Sequence, residues 1–168
     1  SFYTPNAVHA SMIDDETAAA MKLAGFKLVR LGLESADAGF QKSTGGKVDR
    51  GQFERAAAAL KRAGFIGTEI GAYFILGHPA QTCEDVEEVI DFARRCGAAP
   101  VPAEYSPIPG SADFEAAAAA FRHDPRRDPL LHNSSLAQYQ HPAISPEKFQ
   151  AFKDECRRIS EELRRGDS

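Results

Sequence analysis

Three places in this chain put chemically useful residues at the end of what reads as a buried strand. At Leu31-Gly32-Leu33-Glu34-Ser35 an apolar run stops at a carboxylate and a hydroxyl, and the turn Thr44-Gly45-Gly46-Lys47 follows. A second run, Gly71-Ala72-Tyr73-Phe74-Ile75-Leu76, ends in Gly77-His78-Pro79, and a third in Glu104-Tyr105-Ser106-Pro107-Ile108-Pro109-Gly110. Parallel α/β proteins hold ligands at the carboxyl ends of their strands, so three such ends imply one shared site on one face of a sheet. Glu34 and Ser35 can exchange hydrogen bonds with a hydroxylated or amino-bearing ligand, or Glu34 caps the turn after it. Lys47 suits a carboxylate or phosphate, with Gly45 and Gly46 admitting backbone amides; a solvated loop lysine is the alternative. The first glycine of a phosphate-loop signature is absent here. His78 is a candidate general acid or base, or a residue held by turn geometry. Asn6 and His9 leave the first strand after Thr4-Pro5, facing the same site or bonding local backbone. Gly71 and Gly77 bracket their strand, where glycine often marks close approach of a ligand or backbone. Neither a nucleophile–histidine–acid triad nor a carboxylate pair stands out.

The elements that position these groups follow a repeating phrase. Met21-Lys22-Leu23-Ala24-Gly25-Phe26, Leu60-Lys61-Arg62-Ala63-Gly64-Phe65 and Phe92-Ala93-Arg94-Arg95-Cys96-Gly97 each precede an apolar run. Each glycine is placed to end a helix, with a basic residue in the last turn complementing the helix dipole. Asp14 or Asp15 caps the first helix, Asp49 the second, and Thr82 the third with Asp85 as its capping-box partner. Val86, Val89, Ile90 and Ala93 form the apolar stripe of that third helix. Near-continuous apolar strands favour a parallel sheet covered by helices. Four strands are expected, at about 1–9, 28–34, 69–76 and 101–106. Four cannot close a parallel barrel, so the expected fold is α/β, a partial (β/α) barrel of about four strands with outer helices and a C-terminal helix. Residues 1–121 form the barrel part. Residues 122–168 form an irregular segment, to about 145, and a helix opened by Ser145 and Pro146. His132 and Asn133 lie in the irregular segment, near a substrate opening or over the barrel's end.

Bulk properties set the class. The 168 residues suit one domain, at 43% hydrophobic and 26% charged. The net charge of −4 gives no support for nucleic-acid binding. No apolar run approaches the roughly 20 residues that span a bilayer, and no signal peptide is visible, so a cytoplasmic location is the default. Cys83, Cys96 and Cys156 are too far apart for a local metal knuckle, and their odd number argues against a disulfide framework. The chain opens Ser-Phe-Tyr-Thr-Pro-Asn, as if inside a strand, so it is expected to be a fragment of a longer protein.

Taken together, Tyr3-Thr4-Pro5-Asn6, the Leu31–Ser35 and Thr44–Lys47 phrases, Gly71–Pro79, Tyr105–Gly110 and Leu131-His132-Asn133 resemble the radical S-adenosylmethionine superfamily. The resemblance is greatest to the iron–sulfur oxidoreductases that often carry an upstream cobalamin-binding domain. It implies a six-stranded partial barrel, of which this chain supplies the third to sixth strands. It also implies S-adenosylmethionine and a four-iron, four-sulfur cluster as cofactors, with cobalamin as an option. Glu34 and Ser35 would meet the ribose and methionyl part, and Lys47 a carboxylate. The strand holding Gly71, Tyr73 and Gly77 would lie beside adenine, as would Tyr105, Ser106 and Ile108; Asn6 would border the same site. No C-x3-C-x2-C and no Gly-Gly-Glu occurs in this chain, so it is not catalytic alone by that route. The implied partners are an N-terminal barrel half, a cobalamin domain and an unidentified small substrate. An open strand edge at residues 1–9 should favour self-association. The rival readings are a scaffold module that keeps the fold, and a lyase- or aldolase-type barrel, for which neither Lys27 nor Lys47 is well placed as a Schiff base.

Overall fold

The structure is a computed structural model and describes residues 1–33 and 50–166. Glu34, Ser35, Lys47 and the expected cap Asp49 lie outside the described residues. The chain alternates strand and helix. β1 (Phe2–Tyr3) leads through a 3-10 turn to α1 (Asp15–Ala24) and β2 (Phe26–Gly32). Then come α2 (Arg50–Arg62), β3 (Ile70–Leu76), α3 (Cys83–Arg95) and β4 (Ala99–Glu104). Among the described residues the tail is α-helical in three places, α4 (Ala112–Ala120), the short α5 (Ser134–Ala137) and α6 (Pro146–Gly166), with a 3-10 helix at Pro129–His132.

Local signals set these boundaries. Asp14 accepts from the Thr17 amide at the head of α1. Thr82 and Asp85 close a reciprocal capping box on α3, and Ser111 accepts from the Phe114 amide on α4. Pro146 opens α6, where its missing N–H costs nothing. The helices ending before Gly25, Gly64 and Gly97 stop at glycines with positive φ.

The four strands form one sheet in the order β1-β2-β3-β4, every pair parallel. Consecutive order with a helix crossover between neighbours is the arrangement of a barrel sector. The first strand is shorter than the run at 1–9 predicts. Thr4 turns its hydroxyl to accept from the Arg30 amide at 2.8 Å, and Pro5 has no N–H to give, so the ladder breaks there. It resumes only as a single bridge from Val8 to Leu31.

The sheet has two distinct faces. Val29, Leu31 and Leu33 share one face with Ile70, Ala72, Phe74 and Leu76, all buried against the helices together with Phe53, Leu60, Val86, Val89, Phe149 and Ile159. The alternate positions Arg30, Gly32, Tyr73, Ile75, Val101 and Ala103 point the other way and are only partly buried. Over the upper part of this inner face, Ile75 packs on a second cluster of Tyr105, Ala117, Phe121 and Ala137.

The sheet edges differ too. The Tyr105 amide donates to the Leu76 carbonyl at 2.8 Å, which puts the intervening residues Pro100 and Pro102 on the outer edge of β4. Proline offers no donor there, a common way to blunt an edge. At the β1 edge Phe2 and Tyr3 are 55% and 63% exposed, and the Phe2 ring lies 5.4 Å from that of Phe26. Among the described residues, no helix is long and apolar enough to cross a membrane.

Candidate functional site

The end of β3 is held by a side chain that the sequence reading passed over. Gln81 is 2% exposed. Its Oε1 accepts from the amides of Gly77 at 2.7 Å and His78 at 2.9 Å, and its Nε2 donates to the Ile75 carbonyl at 2.8 Å. One amide group thus satisfies three backbone groups that the strand's sudden end leaves over. Gly77 sits at φ 92°, and a Cβ there would stand 2.5 Å from Phe149 Cζ. The loop therefore needs glycine for its backbone and for its packing against α6.

His78 is 5% exposed, with its ring edge-on to Tyr105 at 5.4 Å. Its Nδ1 accepts from the Ala80 amide at 3.3 Å, which leaves the proton on Nε2, 3.5 Å from an Asp113 carboxylate oxygen. This imidazole–carboxylate pair bridges the end of β3 and the first turn of α4. Tyr105 donates its hydroxyl to the Asp113 carbonyl at 2.9 Å. Burial, helped by the Asp113 charge, pushes the Tyr105 hydroxyl up to about 12.

The segment 122–145 folds back onto both strand ends. Ser106 donates its hydroxyl to the His132 carbonyl. His141 Nε2 lies 2.9 Å from the His78 carbonyl, while its Nδ1 accepts from the amides of Ala143 and Ile144 at 3.2 and 2.9 Å. Two incoming N–H groups require a neutral ring at Nδ1, and burial lowers the His141 pKa accordingly. His132 spans the segment itself, its Nε2 2.9 Å from the Pro125 carbonyl, and Asn133 caps α5.

Of the residues singled out by sequence, Gly77, His78, Tyr105 and Ser106 meet at the ends of β3 and β4, and Tyr73 lies lower on the inner face. Gly71 sits on that face near the start of β3, opposite Arg30 in register. Ile108 is 66% exposed beyond β4. Asn6 is exposed in the loop between β1 and the Val8 bridge, and the His9 carbonyl opens the turn that follows. Gln81, Asp113 and His141 were not foreseen. A buried glutamine one residue before a helix cap, or a histidine in a proline-rich loop, has no periodicity to mark it.

The inner face fits an adenosyl group: Gly32 and Ala103 are small, Tyr73 offers an aromatic ring, and Ile75 and Val101 are apolar and partly exposed. The cysteines do not fit an iron–sulfur cluster, which is held by several thiolates together. Cys156 is buried on α6, with its thiol pushed up to about 12 by burial first and the Glu155 charge second. Burial likewise raises Cys96 at the end of α3. Cys83 opens α3 with its thiol 3.9 Å from the Ala143 carbonyl. Among the described residues, no group of three or more His, Cys, Asp or Glu is placed to hold a metal.

A parallel sheet with outer helices, a partly exposed inner face and polar groups gathered at its strand ends is the α/β arrangement that other proteins use to hold ligands. Residues 3–93, just over half of the chain, match the sequence model described as the radical SAM superfamily. The chain belongs to the radical S-adenosylmethionine superfamily. That membership brings S-adenosylmethionine and a four-iron, four-sulfur cluster as the family's cofactors. A search of curated proteins finds no match to the chain.

Proposed function

We propose that this chain is the S-adenosylmethionine-binding wall of a radical enzyme whose cluster cysteines are supplied by a preceding barrel half. The observation that carries this reading is the partly exposed inner face beneath the joined ends of β3 and β4, in a chain that matches the family. Tyr73, Gly77, Tyr105 and Ser106 border the adenosyl group, with Gly71, Ile108 and Asn6 at its margins. The family resemblance alone assigns Glu34, Ser35 and Lys47, which lie outside the described residues, to the ribose, methionyl and carboxylate contacts. When bound, the reduced cluster would supply the electron and S-adenosylmethionine the adenosyl group of the family's radical chemistry, while this chain supplies binding and orientation. In this chain Gln81 and His141 fix the β3 end, while the segment 122–145 covers it and limits access of water.

The finer type is the cobalamin-linked iron–sulfur oxidoreductase, and it rests on the order of the quoted phrases; a cytoplasmic location is the default that goes with it. Its reaction is a methyl transfer or a radical rearrangement on a small substrate. The β1 edge, with exposed Phe2 and Tyr3, is where the preceding half pairs, and without it the chain self-associates there.

The test is equilibrium binding of S-adenosylmethionine to the chain alone and to a longer product that includes an upstream C-x3-C-x2-C segment with reconstituted cluster. Saturable binding by the longer product only is the expected result. No binding by either would leave a scaffold module that keeps the fold without the chemistry.

A further inference from the structure

We infer that Arg30 forms an oxyanion subsite low on the inner face, so that the substrate is an elongated molecule with a carboxylate or phosphate at one end and an apolar body. The inference deepens the proposed function and rests on it for the word substrate, but the subsite itself stands on the geometry of β2 and β3.

Arg30 belongs to the inner face by strand alternation, between Val29 and Leu31, which are fully buried on the helix side. The other inner positions of β2, β3 and β4 carry no charge: Gly32, Tyr73, Ile75, Val101 and Ala103. Elsewhere, partly buried cations are matched by acids, as Lys22 is by Glu69 at 2.7 Å and Lys153 by Glu104. Arg30 is not. Its Nη1 donates to the Pro5 carbonyl at 2.8 Å, its Nε is buried with no partner among the described residues, and no carboxylate of those residues pairs with it. A half-buried guanidinium without a counter-charge is costly unless something pairs with it.

The surroundings hold the side chain in place. Its backbone amide is fixed by Thr4 Oγ1 at 2.8 Å, and its Nη1 is aimed by Pro5. Gly71 faces it in register, and a Cβ there would stand 3.1 Å from Arg30 Cγ and 3.4 Å from Val101 Cγ2. Glycine at 71 therefore makes room for the arginine stem beside β3. The remaining guanidinium donors form a fork that suits the two oxygens of a carboxylate or phosphate. Gly71 lies six residues below Gly77, roughly 20 Å along an extended strand. That separation puts the subsite well away from the strand ends where the adenosyl group is proposed. It assigns the anion to a second ligand whose apolar body approaches the adenosyl group from below, with Gly71 and Tyr73 at the border between the two.

The experiment is a heteronuclear NMR titration of the 168-residue chain with sodium acetate and with inorganic phosphate at constant ionic strength, using chloride as the blank. The reporters are the Arg30 Nε–H signal and the amides of Gly71, Tyr73 and Val101. Saturable shifts are expected for at least one anion, at least tenfold weaker in Arg30→Gln and intermediate in Arg30→Lys. Saturation by acetate alone assigns a carboxylate, and by phosphate alone a phosphate. Shifts that do not saturate, or that persist unchanged in Arg30→Gln, overturn the subsite. Displacement of the anion by S-adenosylmethionine in the longer, cluster-bearing product overturns its assignment to substrate. Anion binding by the chain, with no S-adenosylmethionine binding by the longer, cluster-bearing product, refutes the proposed function and leaves the subsite standing.

Discussion

Replacing Gly77 with alanine tests the argument that the β3 end is built by close packing against α6. Two costs are separable. The backbone cost comes from φ 92° at Gly77, where an L side chain loses about 1–2 kcal/mol. The packing cost comes from the added Cβ, which would lie 2.5 Å from Phe149 Cζ and 2.7 Å from Cε1. Phe149 is itself 2% exposed within the main core, so its ring has little room to retreat. Overpacking of this kind costs about 1–3 kcal/mol. Gly77→Ala should therefore destabilise by roughly 2–5 kcal/mol, a large part of the stability typical of a single domain. Gly25 supplies the control: its φ is 91°, and a Cβ there meets nothing within 4 Å. Gly25→Ala should show the backbone cost alone. Urea unfolding followed by circular dichroism measures both, since the chain has no tryptophan. A double-mutant cycle with Phe149→Leu should return about 1–3 kcal/mol of coupling, because the smaller side chain relieves only the packing part. Equal losses for Gly77→Ala and Gly25→Ala, with no coupling to Phe149, would refute the reasoning.

Gln81→Leu removes the partners of the Gly77 and His78 amides and of the Ile75 carbonyl, so a loss of about 2–5 kcal/mol is expected in the same unfolding assay. His141 has its folded pKa lowered by burial, so the unfolded state binds the proton first. Its contribution is present above about pH 6.5 and is lost as pH falls through that value toward the folded pKa, with a slope of at most about 1.4 kcal/mol per pH unit. His141→Asn should flatten that part of the stability-against-pH curve. Cys156, buried with its thiol raised to about 12, should react with iodoacetamide at pH 8 only through unfolding. Its labelling rate should therefore rise in Gly77→Ala in step with the lost stability.

Local chemistry made the helices legible. Asp14, Thr82 with Asp85, Ser145 with Pro146, and the terminating glycines each act within a few residues, so a sequence window contains the whole cause. The strand ends were legible as well, because a polar group after an apolar run is a local event. The early end of β1 was not, since it depends on the Thr4 hydroxyl accepting from an amide 26 residues away. Gln81 and His141 escaped for a related reason. Each acts on backbone groups that become free only when β3 ends under α6 and the segment 122–145 returns. Arg30 was not singled out from the sequence. Its place on the inner face, opposite Gly71, depends on the register between β2 and β3.

The most direct test of the central claim is the affinity for S-adenosylmethionine of the longer, cluster-bearing protein with Val101→Asp or Tyr73→Ala on the inner face. Lys27→Ala, exposed at the foot of β2, serves as the control, and circular dichroism confirms the fold of each variant. The account predicts binding at least tenfold weaker in both inner-face variants and unchanged in the control. Unchanged affinity in folded Val101→Asp and Tyr73→Ala would place the cofactor elsewhere and contradict it.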